Sequence, residues 1–249
     1  MCAALLRPLL RRRRDLLIEL ARAGAEATVE LVRRGAGRDL RPGLVVSVAT
    51  AGDLLQWHPH LHLLTADGGF APDGRFLPLP EWDATLLMGL FRERILARLL
   101  DRHAISKELV QRLLAWRHSG FSAHVGERID PEDEQRLEDT AVYLVRNPLS
   151  LKKLVYLDGQ QAVLYHSRMN PSLGRNFEAL DPLEWLARMS EHIPDPGQHR
   201  TGAQVGGTRP RCWRAPPSHP ADVVRPPGPA SSPRSTRSIR SSAPAAASG

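Results

Sequence analysis

The segment LVVSVATAGDLLQWHPHLHLLTADGGF, residues 44–70, decides the fold. Residues 44–50 are rich in β-branched side chains and follow the break at Pro42-Gly43, which predicts a buried strand. Ala51-Gly52-Asp53 is a turn signal. A second strand is expected from residue 60 to about residue 65, with Pro59 at its mouth because proline cannot donate to a ladder. Two strands joined by so short a connection predict an antiparallel pair. Side chains alternate along a strand, so His60 and His62 share one face while Leu61 points into the core behind them. Two imidazoles so placed can bind one ion. The same spacing also suits two ordinary surface or core histidines. Hard divalent cations want oxygen ligands as well. His58 has the parity to join the pair unless Pro59 bends it away, and Asp53, Gln56 and His124 are further candidates among which spacing does not choose.

Outward from this hairpin the pattern is mixed. Residues 10–34 carry Leu16, Leu20, Ala23, Ala27 and Leu31 at helical spacing, and residues 82–100 and 107–116 repeat that periodicity. Residues 120–129 alternate like a third strand. Asp130-Pro131 reads as a helix cap followed by proline at the first helical position, opening a helix to about Arg146, since the residue before Pro148 avoids helical angles. Residues 155–157 and 162–166 flank Asp158-Gly159 as a hairpin, and residues 182–192 form a last helix. The predicted class is α+β.

Tyr143 stands inside the predicted helix at residues 131–146, on a polar face with Arg136, Thr140 and Asn147, away from the apolar stripe of Leu137, Ala141, Leu144 and Val145. A helical tyrosine is ordinarily half buried with its hydroxyl in water. It can also attack a phosphodiester when a cation polarises the phosphate, and the phosphotyrosine formed conserves the bond energy for rejoining. Arg136 and Arg146 are placed to hold phosphates nearby or to be solvated.

The formal charge of +7 suggests a polyanionic partner, but its location changes that reading. Residues 200–249 hold eight arginines against Asp222, which accounts for the whole excess and leaves residues 1–199 formally neutral. Only local clusters then count, such as Arg11 to Arg14 or Arg33, Arg34, Arg38 and Arg41, and a solvated helix face explains them equally well. The chain has no apolar run of membrane length, and arginines interrupt its opening segment, so a cytoplasmic protein is expected. Cys2 and Cys212 are too isolated for a disulfide framework or a cysteine zinc site. After residue 199 the composition turns to Arg, Pro, Ser, Ala and Gly, and residues 200–249 are expected to be disordered beyond a domain at residues 1–199.

Four segments in order, WHPHLHLLTADGGF (57–70), LLAWRHSGFSAH (113–124), YLVRNPLSLKKL (143–154) and DPLEWLARMSEHIPDPGQH (181–199), resemble the IS91-like transposases over roughly residues 5–199. The resemblance implies a mobile-element transposase of the HUH class with an HUH-nuclease-like fold, an antiparallel sheet with helices on one face. It implies His60 and His62 as metal ligands for magnesium or manganese, Tyr143 as the nucleophile, and single-stranded DNA of the element ends as partner. Three features depart from the family. The position four before Tyr143, tyrosine in the founding relatives, is Asp139; no cysteine-rich zinc segment precedes Leu5; and the family's tyrosine- and asparagine-containing continuation after PDPGQH is replaced by RTGAQVGGTRPRCW. A frameshift near codon 200 is the expected origin of that tail. The competing readings are a non-catalytic remnant that binds single-stranded DNA and, from another class, a zinc-dependent hydrolase built on His58, His60 and His62.

Overall fold

The computed structural model describes residues 4–195 apart from residues 80, 117–119, 148 and 171–173, and these form an α+β fold. The expected tail at residues 200–249 and both cysteines lie outside the described residues. In chain order the helices and strands are α1 (Arg7–Arg12), α2 (Leu17–Ala36), β1 (Leu44–Ala51), β2 (Trp57–Thr65), β3 (Gly68–Phe70), β4 (Phe76–Pro78), α3 (Ala84–Asp101), α4 (Lys107–Ala115), α5 (Glu134–Val145), β5 (Leu154–Leu157), β6 (Ala162–Asn170), β7 (Arg175–Leu180) and α6 (Pro182–Ser190). The strands form three separate antiparallel ladders, β1-β2, β3-β4 and β5-β6-β7, rather than one sheet. No helix among the described residues is long and apolar enough to cross a membrane.

Helix α2 is the centre of the core. Its stripe of Leu20, Ala23, Ala27 and Leu31 is buried against Leu90, Ile95, Leu96 and Leu99 of α3, as helical spacing predicts. Ala21 and Ala25 on another side pack against Val46 of β1. Small residues let the helix lie close to the strands: a Cβ on Gly24 would run into Leu61 Cδ1. Glu19, 2% exposed, is held by Arg98 at 2.7 Å and Arg22 at 3.0 Å, so the buried carboxylate is paired and ties α2 to α3.

Four sequence expectations change. The helix expected at residues 10–34 is broken at Arg13, whose φ of −118° and ψ of 73° end α1, and a short 3-10 turn at Arg14–Leu16 intervenes. The break separates the like charges of Arg11 to Arg14, which one continuous turn would crowd. Strand β2 starts at Trp57, not residue 60. Ala49 pairs with His60 and Ala51 with Trp57, so His58 and Pro59 together oppose Thr50 in a bulge, where a residue without an N–H costs no ladder bond. Residues 120–129 form no strand: Phe121 packs edge-on against Phe91 with ring centroids 6.0 Å apart, and Arg128 reaches Asp67. That alternation anchors a segment outside the ladders through side chains. Helix α5 begins at Glu134, because Asp130 closes only a tight turn while Asp133 caps the helix, its Oδ1 accepting the Arg136 N–H at 3.0 Å.

Candidate functional site

Leu61 and Leu63 occupy the α2 side of β2. Alternation therefore sends His60 and His62 to the opposite face, together with Ser47, which pairs with His62 across the ladder. Helix α5 comes down on this face. The Ser47 hydroxyl donates to the Leu144 carbonyl at 2.7 Å, and that contact brings Tyr143 against His62. Helices thus lie on both faces of β1-β2, α2 on one and the end of α5 on the other.

The site is a row of rings. His58 and His60 have centroids 5.4 Å apart, His60 and His62 4.7 Å, and His62 meets the Tyr143 ring edge-to-face at 5.0 Å and 82°. The Arg146 guanidinium carbon lies 4.1 Å from the Tyr143 ring centroid, a cation–π contact that closes the row. Tyr143 is 43% exposed and faces away from Leu144, the one buried residue of α5, as its polar helical face predicts. Val145, assigned to the apolar stripe, is exposed instead.

Proton positions in the pair follow from geometry. His60 Nδ1 lies 2.7 Å from the His58 carbonyl oxygen, which can only accept, so the His60 proton sits on Nδ1 and its Nε2 presents a bare lone pair. That lone pair is 3.1 Å from His62 Nε2. Burial is the main cause holding both rings neutral: His62 is pushed down to about 4, with the charges of His60 and Arg146 adding to it, and His60 is lowered as well, although its bond to the His58 carbonyl opposes the shift. In this contact His62 Nε2–H donates to the bare His60 Nε2, so binding one cation between the two rings requires the His62 proton to move to Nδ1.

The other ligand candidates stay apart. Arg7 Nη2 lies 3.3 Å from His58 Nε2 and takes its lone pair, while burial and then the Arg7 charge push His58 down to about 4. Gln56 Oε1 accepts from the Leu54 N–H at 2.9 Å and serves the turn. Asp53 is exposed in that turn, where its charge opposes the lowering of His58 and His60. His124 sits on the non-strand segment after Gly120. Among the described residues no group of three His, Cys, Asp or Glu side chains gathers as for a metal, so the ligand set of the hydrolase reading does not form.

His192, which spacing alone did not single out, is a structural tie beside this face. Its Nε2–H donates to the Leu55 carbonyl at 2.8 Å, its Nδ1 accepts from the Thr50 hydroxyl at 3.0 Å, and its ring stacks on Trp57 at 6.0 Å. The chain after α6 is thereby pinned to the β1-β2 turn. The row of rings lines a groove of about 2060 Å³ whose walls also include residues of α1, β6, β7 and α6.

The basic clusters noted in the sequence are neutralised in part: Arg13 pairs with Asp15, Arg33 with Asp39 and Arg34 with Glu30; outside them, Arg136 pairs with Glu127. The sequence matches the family described as "Putative transposase" over residues 43–203. It is 25% identical over 200 residues to the transposase for insertion sequence element IS801 of Pseudomonas savastanoi pv. phaseolicola, covering 76% of this chain and 48% of the relative. The chain thus spans about half the length of the curated relative it matches. No solved structure matches. The family match takes in more than half of the chain, including both strands of the histidine hairpin and the tyrosine helix, and the chain belongs to this family, the IS91-like transposases.

Proposed function

We propose that this chain cuts and rejoins single-stranded DNA at the ends of a mobile element through a covalent 5′-phosphotyrosine on Tyr143, with His60 and His62 holding a divalent ion, magnesium or manganese. The observation that carries the reading is the edge-to-face contact of Tyr143 with His62, which joins a helix and a strand far apart in sequence at one solvent-facing point. An HUH-nuclease-like fold, with β1-β2 as its metal-bearing ladder, goes with this reading.

The residues fit a divalent ion as a partial shell. The His58 carbonyl fixes the His60 proton on Nδ1 and keeps Nε2 free of it, an outer-shell device that orients ligating histidines, and phosphate or water oxygens suit the positions that two imidazoles leave open. When bound, the ion supplies Lewis-acid polarisation of the scissile phosphate. Tyr143 Oη attacks phosphorus, the Oη–P bond forms and the bond from phosphorus to the 3′-oxygen breaks; the phenol proton passes to solvent, to which the side chain is open, and the departing 3′-oxygen takes a proton from solvent to leave as a 3′-hydroxyl. Attack by a second 3′-hydroxyl reverses the step and joins the new ends without an external energy source.

The test is adduct formation between the chain and labelled single-stranded oligonucleotides carrying the ends of its own element, with Mn²⁺. The expected result is a denaturant-stable protein–DNA band that is absent from Tyr143→Phe, which loses only a hydroxyl. Binding without any adduct would leave a non-catalytic remnant, and an undiminished band from Tyr143→Phe would remove Tyr143 from the chemistry.

A further inference from the structure

Six arginines line the groove, and their partners divide them. Arg11 pairs with Glu191, Arg14 with Asp195, Arg175 with Glu178, and Arg188 with Glu178 and Glu184. Arg7 and Arg146 have no carboxylate partner among the described residues. These two stand at opposite ends of the ring row, Arg7 against His58 and Arg146 over Tyr143 beside His62. Arg7 Nε is moreover buried without a hydrogen-bond partner, an unmet donor on a guanidinium at the groove wall. From His58 to His62 the strand advances four residues through the bulge, on the order of 10 Å. A few nucleotides of extended strand cover that length, so cations at the two ends meet different phosphates.

We propose that Arg7 and Arg146 are a phosphate clamp that grips the DNA backbone on either side of the scissile phosphate and sets the strand parallel to β2. The proposal rests on the reading that single-stranded DNA occupies this groove. It assigns the two ends different parts. Arg7 exchanges its contact with His58 for a phosphate oxygen, while Arg146 stays stacked on Tyr143 and presents its outer N–H groups. Guanidinium suits both tasks, since its planar fork binds phosphate and its face stacks on an aromatic ring. Such contacts position the backbone and carry no base information, so they act on any sequence.

The test measures binding of fluorescein-labelled oligothymidylate to the full chain in a Tyr143→Phe background, as a function of salt. Each phosphate contact on a single strand contributes about 0.7 to the slope of log affinity against log salt. Arg7→Gln and Arg146→Gln should each flatten the slope by about 0.7, the double variant by about 1.4, and the lysine replacements should restore it. Arg34→Gln, whose parent arginine pairs with Glu30, should leave it unchanged, and contributions from residues 200–249 cancel between variants. An unchanged slope in Arg7→Gln or Arg146→Gln overturns the clamp. Should a glutamine variant fail to fold, the guanidinium Nε–H resonances decide in the Tyr143→Phe chain: those of Arg7 and Arg146 must move on adding oligothymidylate while that of Arg34 stays, and static signals overturn the proposal. A chain that binds no oligothymidylate even at low salt refutes the DNA-processing function itself, a result distinct from binding with an unaltered slope.

Discussion

Replacing Ser47 by alanine removes a hydroxyl that ties the tyrosine helix to the histidine ladder. The Leu144 carbonyl that it serves belongs to the last turn of α5, where carbonyls lack helical partners, so the bond at 2.7 Å satisfies an otherwise open acceptor. A partly buried bond of this kind contributes about 1 kcal/mol net. In a domain of this size that lowers the thermal midpoint by about 2–4 °C. The larger effect should fall on chemistry. Tyr143 is the neighbour of Leu144, and loosening the helix end by roughly 1 Å can cost about 100-fold in a reaction that depends on placement. Single-turnover adduct formation at saturating Mn²⁺, read beside the thermal transition, separates the two effects. Ser47→Thr keeps the hydroxyl and should keep the rate. A Ser47→Ala chain that melts lower yet reacts at the unsubstituted rate would refute the idea that this bond positions the nucleophile.

Two further outcomes follow from the site. His60→Ala with His62→Ala should weaken Mn²⁺ binding by more than about tenfold, since loss of outer-shell partners alone costs that much, and equal affinity by calorimetry would dismiss the pair as ligands. Acid should destabilise the fold: His58 and His62 sit at about 4 instead of 6.5, so their full contribution is present above pH 6.5 and is lost as pH falls toward 4 while the unfolded chain takes up protons. Urea midpoints measured across that window should decline toward acid, and a flat profile would contradict the burial of these rings.

Much of this was legible in the residues because it is local. Period two puts His60 and His62 on one face and Leu61 on the other, and helical period finds the stripe of α2. Pro59 misled by one step, since its missing N–H marks a strand mouth and a bulge equally well, and only pairing tells them apart. The segment after Gly120 misled more deeply: alternation reports which side chains turn inward, and Phe121 does, but it cannot report whether a neighbouring strand exists. Strands β3, β4 and β7 went unread because GGF, FLP and RNFEAL lack β-branched runs and are ordered by their partners. The charge pattern failed for a related reason. Several arginines of the sequence clusters prove to be ion-paired, whereas the two groove arginines without a carboxylate partner among the described residues, Arg7 and Arg146, are set beside the rings by long-range folding.

The elements that carry the site are unequally anchored. Helix α2, behind the histidines, buries ten residues, whereas α5, which carries Tyr143, buries Leu144 alone. The metal-ligand candidates therefore sit against a well-buried helix and the proposed nucleophile, Tyr143, on a lightly buried one. Apolar burial contributes about 1.5–3 kcal/mol per large side chain, so one buried leucine, with the Ser47 hydroxyl and the Tyr143–His62 ring contact beside it, anchors the tyrosine helix less than the buried face of α2 anchors that helix. A strand that must enter between Tyr143 and the histidines needs an opening of α5, and differences in local opening free energy are what native-state hydrogen exchange resolves. Amide protons of α5 should exchange well before those of α2 under conditions that keep the core folded. Oligothymidylate should slow the α5 protons selectively, because a strand seated against both Tyr143 and β2 closes the gap that opening requires. Equal protection of α2 and α5 without DNA would mean that contacts other than Leu144 and Ser47 hold the helix, and the entry of DNA would then have to occur along the open groove without movement of the nucleophile.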